Sequence, residues 1–206
     1  MESAFSIKES FAFGWQKTRE HSGLLFGAML TIFALQVAQA LVTATLMDQL
    51  IGVLALVAVL AAECVAGVGF VLIMLKIAKG ERAQYADILP PVRLVWTYLL
   101  ASLAAGLLIL LGFVLLIIPG IYLSLRFSMV RFAVLEGAGV KESLKKSGAM
   151  TRGVKWKLLG FLLLCGLVNM LGAILLMVGL LVTVPVSTIA YAHVYRKLHA
   201  HHHAHA

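Results

Sequence analysis

Several polar side chains lie inside runs where almost everything around them is apolar. The charged ones are Glu63, Arg126 and Arg131, and the amides are Gln36, Gln39 and Asn169. Inside hydrocarbon such groups either line a path for ions or solutes or act as polar glue between helices. Glu63 comes thirteen residues before Lys76. At about 1.5 Å per residue this places it about 20 Å into a helix that ends at Lys76, near the middle of a membrane crossing. Arg126 precedes Glu136 by ten residues and is expected at similar depth. An isolated ion there costs about 2.5 to 3.5 kcal/mol on insertion scales, so Glu63 and Arg126 are expected to pair. The first reading of that pair is a contact that fixes helix register, and the second is a transport site. Arg131 lies nearer the end of its run and can snorkel toward water.

The amides form short lines at helical spacing. Gln36, Gln39 and Thr43 share one face, and Cys165, Asn169 and Gly172 share another. Hydrogen bonds between spans are worth about 0.6 kcal/mol each, so packing is their default meaning. The small-residue spacings Ala62 with Ala66, Glu63 with Gly67, and Ser102 with Gly106 are expected to let helices approach closely. Pro185 predicts a kink.

Catalytic patterns are absent from the sequence. It contains no His-Glu-x-x-His helix, no Gly-x-Ser-x-Gly elbow and no phosphate-cradling glycine loop. Ser124 and Ser187 have no base at a useful spacing, and His193 stands alone. Cys64 and Cys165 are the only cysteines and both lie in apolar runs, which excludes a disulfide framework or zinc knuckle and predicts inert thiols. His199, His201, His202, His203 and His205 crowd the end of the chain and can chelate a transition metal incidentally. No metal site or cofactor is assigned to them, and a non-enzymatic protein is expected.

The elements that must carry these residues are membrane spans. Apolar residues make up 62% of the 206, and the mean hydropathy is +1.00. That is more than a soluble domain's core absorbs. Four runs are long enough to cross on sight, at residues 23–47, 50–75, 94–118 and 158–178. Two shorter runs, 121–135 and 180–195, follow expected corners at Pro119-Gly120 and Gly179. The formal charge is +8, with seventeen Lys and Arg. All seventeen fall on one side if the chain crosses six times, and the connections on the other side, at 47–49, 119–120 and 179, hold none. Basic residues flanking spans are retained in the cytoplasm, so both termini are expected there, in a protein of the inner-membrane type. Anionic headgroups rather than nucleic acid are the expected counter-charge. A protein partner or a second copy is left open. Residues 23–37 followed by Ala38-Gln39-Ala40 imitate a cleavable signal peptide, but the apolar run continues to Leu46, so the segment is read as a retained span.

A shift of 133 residues superimposes two parts of the chain. It pairs Lys8 with Lys141, Glu9 with Glu142, Ser10 with Ser143, Thr18 with Thr151, Arg19 with Arg152, Leu25 with Leu158 and Gly27 with Gly160, and sets Gln36 on Asn169. Ile7, Phe11, Trp15 and Thr18 form one helical face, matched by Val140, Leu144, Gly148 and Thr151, as in helices that lie in the membrane interface. Residues 79–96 offer a weaker third copy, broken by Pro90-Pro91. The expected fold is therefore all-α. It is a polytopic bundle of six transmembrane helices in a single domain, 1–200, with interfacial amphipathic helices. Its parallel repeats of surface helix plus hairpin cover about 1–76, 77–135 and 136–198, and a flexible His-rich tail covers 199–206.

The stretch Ile118-Pro119-Gly120-Ile121-Tyr122, Arg126, Leu135-Glu136-Gly137, Val140 to Leu144, Ser147, Thr151-Arg152-Gly153 and Trp156 resembles the hallmark of a bacterial and archaeal group of six-span proteins. That group is largely uncharacterised and is similar to the membrane domain of some glycerophosphodiester phosphodiesterases. The likeness is clearest over residues 115–165. It implies a six-span helical fold in a plasma membrane and no established activity. The chain lacks the phosphodiesterase domain of the fused members, so their hydrolysis is not carried over.

Overall fold

The computed structural model describes residues 5–46, 49–174 and 179–204. Among these residues the chain is helical throughout, with no strand. The elements are α1 (Ile7–Glu20), α2 (Ser22–Leu46), α3 (Leu50–Lys79), a 3-10 turn (Tyr85–Ile88), α4 (Val92–Leu115), α5 (Ile117–Phe127), α6 (Val130–Leu135), α7 (Val140–Met150), α8 (Lys155–Ile174) and α9 (Leu180–Ala204). Five stretches are long and apolar enough to cross a membrane: Ser22–Thr45, Leu50–Lys79, Val92–Leu115, Ile117–Leu135 and Lys155–Ile174. The protein is thus of the multi-pass membrane type. Of the expected connection at 47–49, residues 47 and 48 lie outside the described residues, as do 175–178 of the expected run 158–178.

Local chemistry sets the helix ends. Ser6 caps α1 by accepting from the Glu9 amide at 3.4 Å. Gly80 ends α3 in the left-handed region at φ 74°, and the Glu81 amide returns to the Lys76 carbonyl at 2.9 Å. Lys76 and Lys79 occupy the last turn of α3, where the helix dipole favours cations.

The corner between α4 and α5 differs from the expected Pro119-Gly120. It lies at Leu116, whose extended backbone (φ −168°, ψ 157°) turns the chain, and Pro119 sits inside the first turn of α5. A proline is tolerated there because first-turn amides have no intrahelical acceptor. Gly120 is needed for a different reason: any Cβ on it would collide with the Phe113 ring, so its small size lets α5 fold back onto α4. Two residues, Ser128 and Met129, separate α5 from α6, and the Met129 amide donates to the Ser147 hydroxyl of α7 at 3.2 Å.

Each surface element packs on the second helix of another hairpin. Helix α1 lies on α9, the 3-10 turn on α3, and α7 on α5 and α6. The buried face of α1 is Ser10, Gly14 and Thr18, and that of α7 includes Ser143 and Ser147, continued by the buried C-cap Thr151. These are the same positions under the 133-residue shift. The face packed on the neighbouring helix is therefore a seam of small residues, and Trp15 of the apolar face is 51% exposed. Close approach is the cause: a Cβ on Gly14 would strike the Val186 carbonyl oxygen of α9, and one on Gly69 of α3 would strike the Ile88 backbone. Gly27 of α2 faces Tyr85 of the 3-10 turn, and its counterpart Gly160 of α8 faces Ile7 of α1.

The core lies where these elements meet and is built from Ile73, Met74, Phe132, Phe161, Ile189 and Tyr195. Phe132 meets Tyr191 edge-on with centroids 5.1 Å apart. Much of the outer surface of the long helices is apolar, including Phe33, Leu54, Val114 and Ile118. Helix α9 runs unbroken through Pro185 and continues to Ala204, so His199, His201 and His202 stand on it, and His205 of the expected tail lies outside the described residues.

Candidate functional site

Helix α6 ends at Leu135, and Gly137 at φ 95° turns the chain so that Glu136 faces the bundle. The Tyr195 hydroxyl of α9 donates to Glu136 Oε2 at 2.5 Å. Lys146 of α7 approaches the same oxygen at 3.3 Å, and Lys79 at the end of α3 lies 3.6 Å from Oε1. One carboxylate thus joins the ends of α3 and α6 to α7 and α9. Its side chain is only 16% exposed. Burial alone would push the Glu136 carboxyl up, but the Tyr195 hydrogen bond and the Lys146 charge outweigh it and hold the group below the usual carboxylate range.

The same end of the bundle carries two further ties. Glu9 of α1 reaches Lys197 of α9 at 3.2 Å and His193 Nε2 at 3.8 Å, and the His193 ring lies on Phe13 with centroids 4.2 Å apart. Asp87 of the 3-10 turn pairs with Lys76 of α3 at 2.6 Å and accepts from the Gln84 amide at 2.9 Å. Burial works against the charged form of Asp87, and Lys76 and the Gln84 amide overcome it, lowering its pKa. Arg196 donates to the Ala78 carbonyl oxygen. Each surface element is therefore tied by an ion pair to the chain around the helix on which it packs: α1 to α9 through Glu9, the 3-10 turn to α3 through Asp87, and α7 to the end of α6 through Lys146. The result is a ring of charge at one end of an apolar bundle.

The residues expected to meet inside the bundle are distributed differently. Glu63 Oε1 is buried in α3 with no hydrogen-bond partner among the described residues. Arg126 does not pair with it. The Arg126 guanidinium lies against Gly148 of α7 and over the Phe127 ring, 5.7 Å from its centroid. The physical reason is the course of α7, which folds back along α5. Ser147 Oγ donates to the Arg126 carbonyl at 2.7 Å, and the missing side chain of Gly148 leaves room for the guanidinium.

Arg131 lies beside the Tyr98 hydroxyl, an inter-helix contact between α6 and α4. Asn169 bonds with Ser187 of α9 at 3.0 Å, as expected for an inter-helix amide. Gln36 faces outward on α2, and the Gln39 carbonyl accepts from the Thr43 hydroxyl at 2.8 Å within the same helix. Gly67 and Gly106 have no atom within 4 Å of where a Cβ would stand, so neither marks a close helix approach.

Sequence reasoning passed over Lys79, Glu9, Asp87 and Lys146 as members of a site. The repeat paired Glu9 with Glu142, but in the structure the two do different work: Glu9 pairs with α9, whereas Glu142 lines a cavity. No protein-family model, curated protein or solved structure matches the chain.

Proposed function

We propose that the chain is a six-span protein of a bacterial inner membrane, with α9 as the sixth crossing and both termini in the cytoplasm. Its role in this reading is non-enzymatic, as an accessory or organising protein of the membrane or envelope. One observation carries the reading. Trp15, Trp96 and Trp156 are 51%, 62% and 86% exposed, and each stands beside basic residues, Lys17 and Arg19, Arg93, and Lys155 and Lys157 respectively. Exposed tryptophans flanked by cations belong at the headgroup level of a membrane.

The ends that carry these tryptophans also carry the ion-pair ring, which supports placing that ring at the cytoplasmic interface. Helix α9 is less apolar than the other long helices because Thr183, Ser187, Thr188 and His193 interrupt it before Arg196 and Lys197, and it is also more enclosed: Val186, Ile189, Ala190, Ala192 and Val194 are all buried. A crossing enclosed by neighbours needs fewer lipid-facing side chains. The order of contacts, with each surface element resting on the second helix of another hairpin, supports three parallel modules around a pseudo-threefold axis. It fits the six-span group to which the 115–165 stretch is similar. A cytoplasm-active fluorescent reporter fused after Gly153 should be bright and one fused after Leu116 dark. Active periplasmic alkaline phosphatase fused within 141–157 would defeat this topology. Deleting residues 1–20 should weaken retention of anionic lipid more than any solute flux.

A second reading, a small-solute or ion transporter, is favoured by the unpartnered Glu63 oxygen alone. Labelling of a cysteine at position 63 by a charged thiol reagent would support it, and protection from the reagent would count against it.

A further inference from the structure

A cavity of about 300 Å³ lies between α7 and the last turns of α9, beside the Glu136 cluster with which it shares Lys146, and its lining includes Glu142, Lys145, Lys146, Met150, His199 and His202. Lys146 also supports Glu136 at 3.3 Å, and His199 is within electrostatic reach of the same carboxylate. We propose that this cavity binds a phosphate group, supplied either by the headgroup of an anionic phospholipid or by a free phosphate. The proposal deepens the membrane reading above and rests on it for the lipid source.

The chemistry of the walls selects that ligand class. Lys145 and Lys146 of α7 and His199 and His202 of α9 line it from facing helices, and all four are side-chain types that donate to phosphate oxygens, Lys146 being shared with Glu136. No group of three or more His, Cys, Asp or Glu suited to a metal occurs among the described residues, which sets this lining apart from a metal site. Glu142 is the one acidic wall, and it works against a fully ionised anion unless it bonds a ligand hydroxyl. Met150 is 4% exposed and adds apolar surface to the lining, which suits the glycerol carbons next to a headgroup phosphate. The volume is at the lower end of small-molecule sites, about 300 to 1,000 Å³, and holds a headgroup but no acyl chain. Lys155 and Trp156 begin the next helix after α7, so an acyl chain leaving the cavity has the membrane interface nearby.

The test uses the full chain in detergent, so that it does not depend on a bilayer. The probes are dihexanoyl phosphatidylglycerol, inorganic phosphate and, as the zwitterionic control with no net charge, dihexanoyl phosphatidylcholine, each titrated by fluorescence-detected thermal shift and native mass spectrometry. The wild-type chain is expected to bind phosphatidylglycerol or phosphate in preference to phosphatidylcholine. Lys145→Gln and His202→Gln should each weaken that binding about tenfold, the equivalent of one charge-assisted hydrogen bond. Lys8→Gln removes the same charge from α1, away from the cavity, and should change binding less than about twofold, as a screened surface charge does. Binding of phosphatidylglycerol that millimolar phosphate does not displace assigns the headgroup as the source, and binding of phosphate alone assigns the free ion. Equal weakening by Lys8→Gln, or wild-type binding that is absent or indifferent to Lys145→Gln and His202→Gln, would overturn the proposal. Recovery of the protein with membranes after alkaline extraction tests the membrane reading separately, so the two can fail independently.

Discussion

Tyr195 and Glu136 meet with 2.5 Å between the hydroxyl and a carboxylate oxygen, and this contact locks the end of α9 to the turn after α6. The two residues are 59 apart in sequence and belong to different hairpins. Around them Lys79 and Lys146 bring in α3 and α7, so the carboxylate balances two cations that would otherwise repel at the same end of the bundle. The rest of the hairpins present apolar surface outward, and interhelical packing among apolar spans has little hydrophobic drive within lipid. A polar hub of this kind supplies direction that apolar contacts lack.

Glu136→Gln should lower the thermal stability of the purified protein by about 1 to 3 kcal/mol, the cost of leaving partly buried partners unsatisfied. The pH dependence follows from the sign of the shift. The folded-state pKa of Glu136 is depressed, so its stabilisation is fully present above the ordinary glutamate value of 4.5 and is lost as pH falls through the lower folded-state value. Melting temperatures of the wild type should therefore drop as pH falls below about 4.5, and the Gln variant should show a shallower drop over the same range. Parallel curves for the two proteins would remove Glu136 from the account.

Close backbone approach at the 3-10 turn predicts a contrast between two glycines. Gly69→Val forces a side chain into the Ile88 backbone and should destabilise by about 1 to 3 kcal/mol, whereas Gly106→Ala meets nothing within 4 Å and should be neutral or slightly stabilising. Equal melting temperatures for Gly69→Val and the wild type would show that the turn is free to move away from α3.

Much of this architecture was legible in the residues, because span length and hydropathy act over twenty positions at a time. The long apolar stretches are of that kind. The face of α1 that meets protein was not legible, because amphipathic periodicity reports where apolar residues cluster and not which of two surfaces packs on a neighbour. In α1 the seam against α9 is made of Ser10, Gly14 and Thr18, while Trp15 points away. The Glu63–Arg126 pairing failed for a related reason. Depth estimated from chain counting fixes one coordinate, and the neighbour of Arg126 is set by how α7 folds back, which no local pattern encodes. Glu136 stood in the sequence next to Gly137 at the end of a span, yet its partners come from residues 79, 146 and 195, beyond the reach of any window.

Asn169 and Ser187 provide a direct measure of polar glue between α8 and α9. A double-mutant cycle with Asn169→Leu and Ser187→Ala, followed by thermal unfolding in one detergent, should give a coupling of about 0.6 kcal/mol. Additive single losses would mean that the bond contributes nothing beyond the separate packing of the two side chains. The Ser187 hydroxyl also donates to the Thr183 carbonyl at 2.8 Å, so Ser187→Ala alone should have a small effect of its own.

Glu63 is the residue whose replacement separates a structural role from a transport role. Its Oε1 is buried without a partner among the described residues, and a polar atom in that state disfavours the folded protein by about 1 to 3 kcal/mol. Glu63→Met keeps a similar shape without the unsatisfied oxygen and should raise the melting temperature. Proteins retain such a group against its energetic cost where it serves a function, so the informative result is the combination of two measurements. A more stable Met variant with unchanged growth and unchanged ion or solute flux in proteoliposomes would make Glu63 dispensable. A more stable variant that has lost flux seen with the wild type would make it the centre of a transport path. A less stable Met variant would show that the carboxyl is bonded in the membrane.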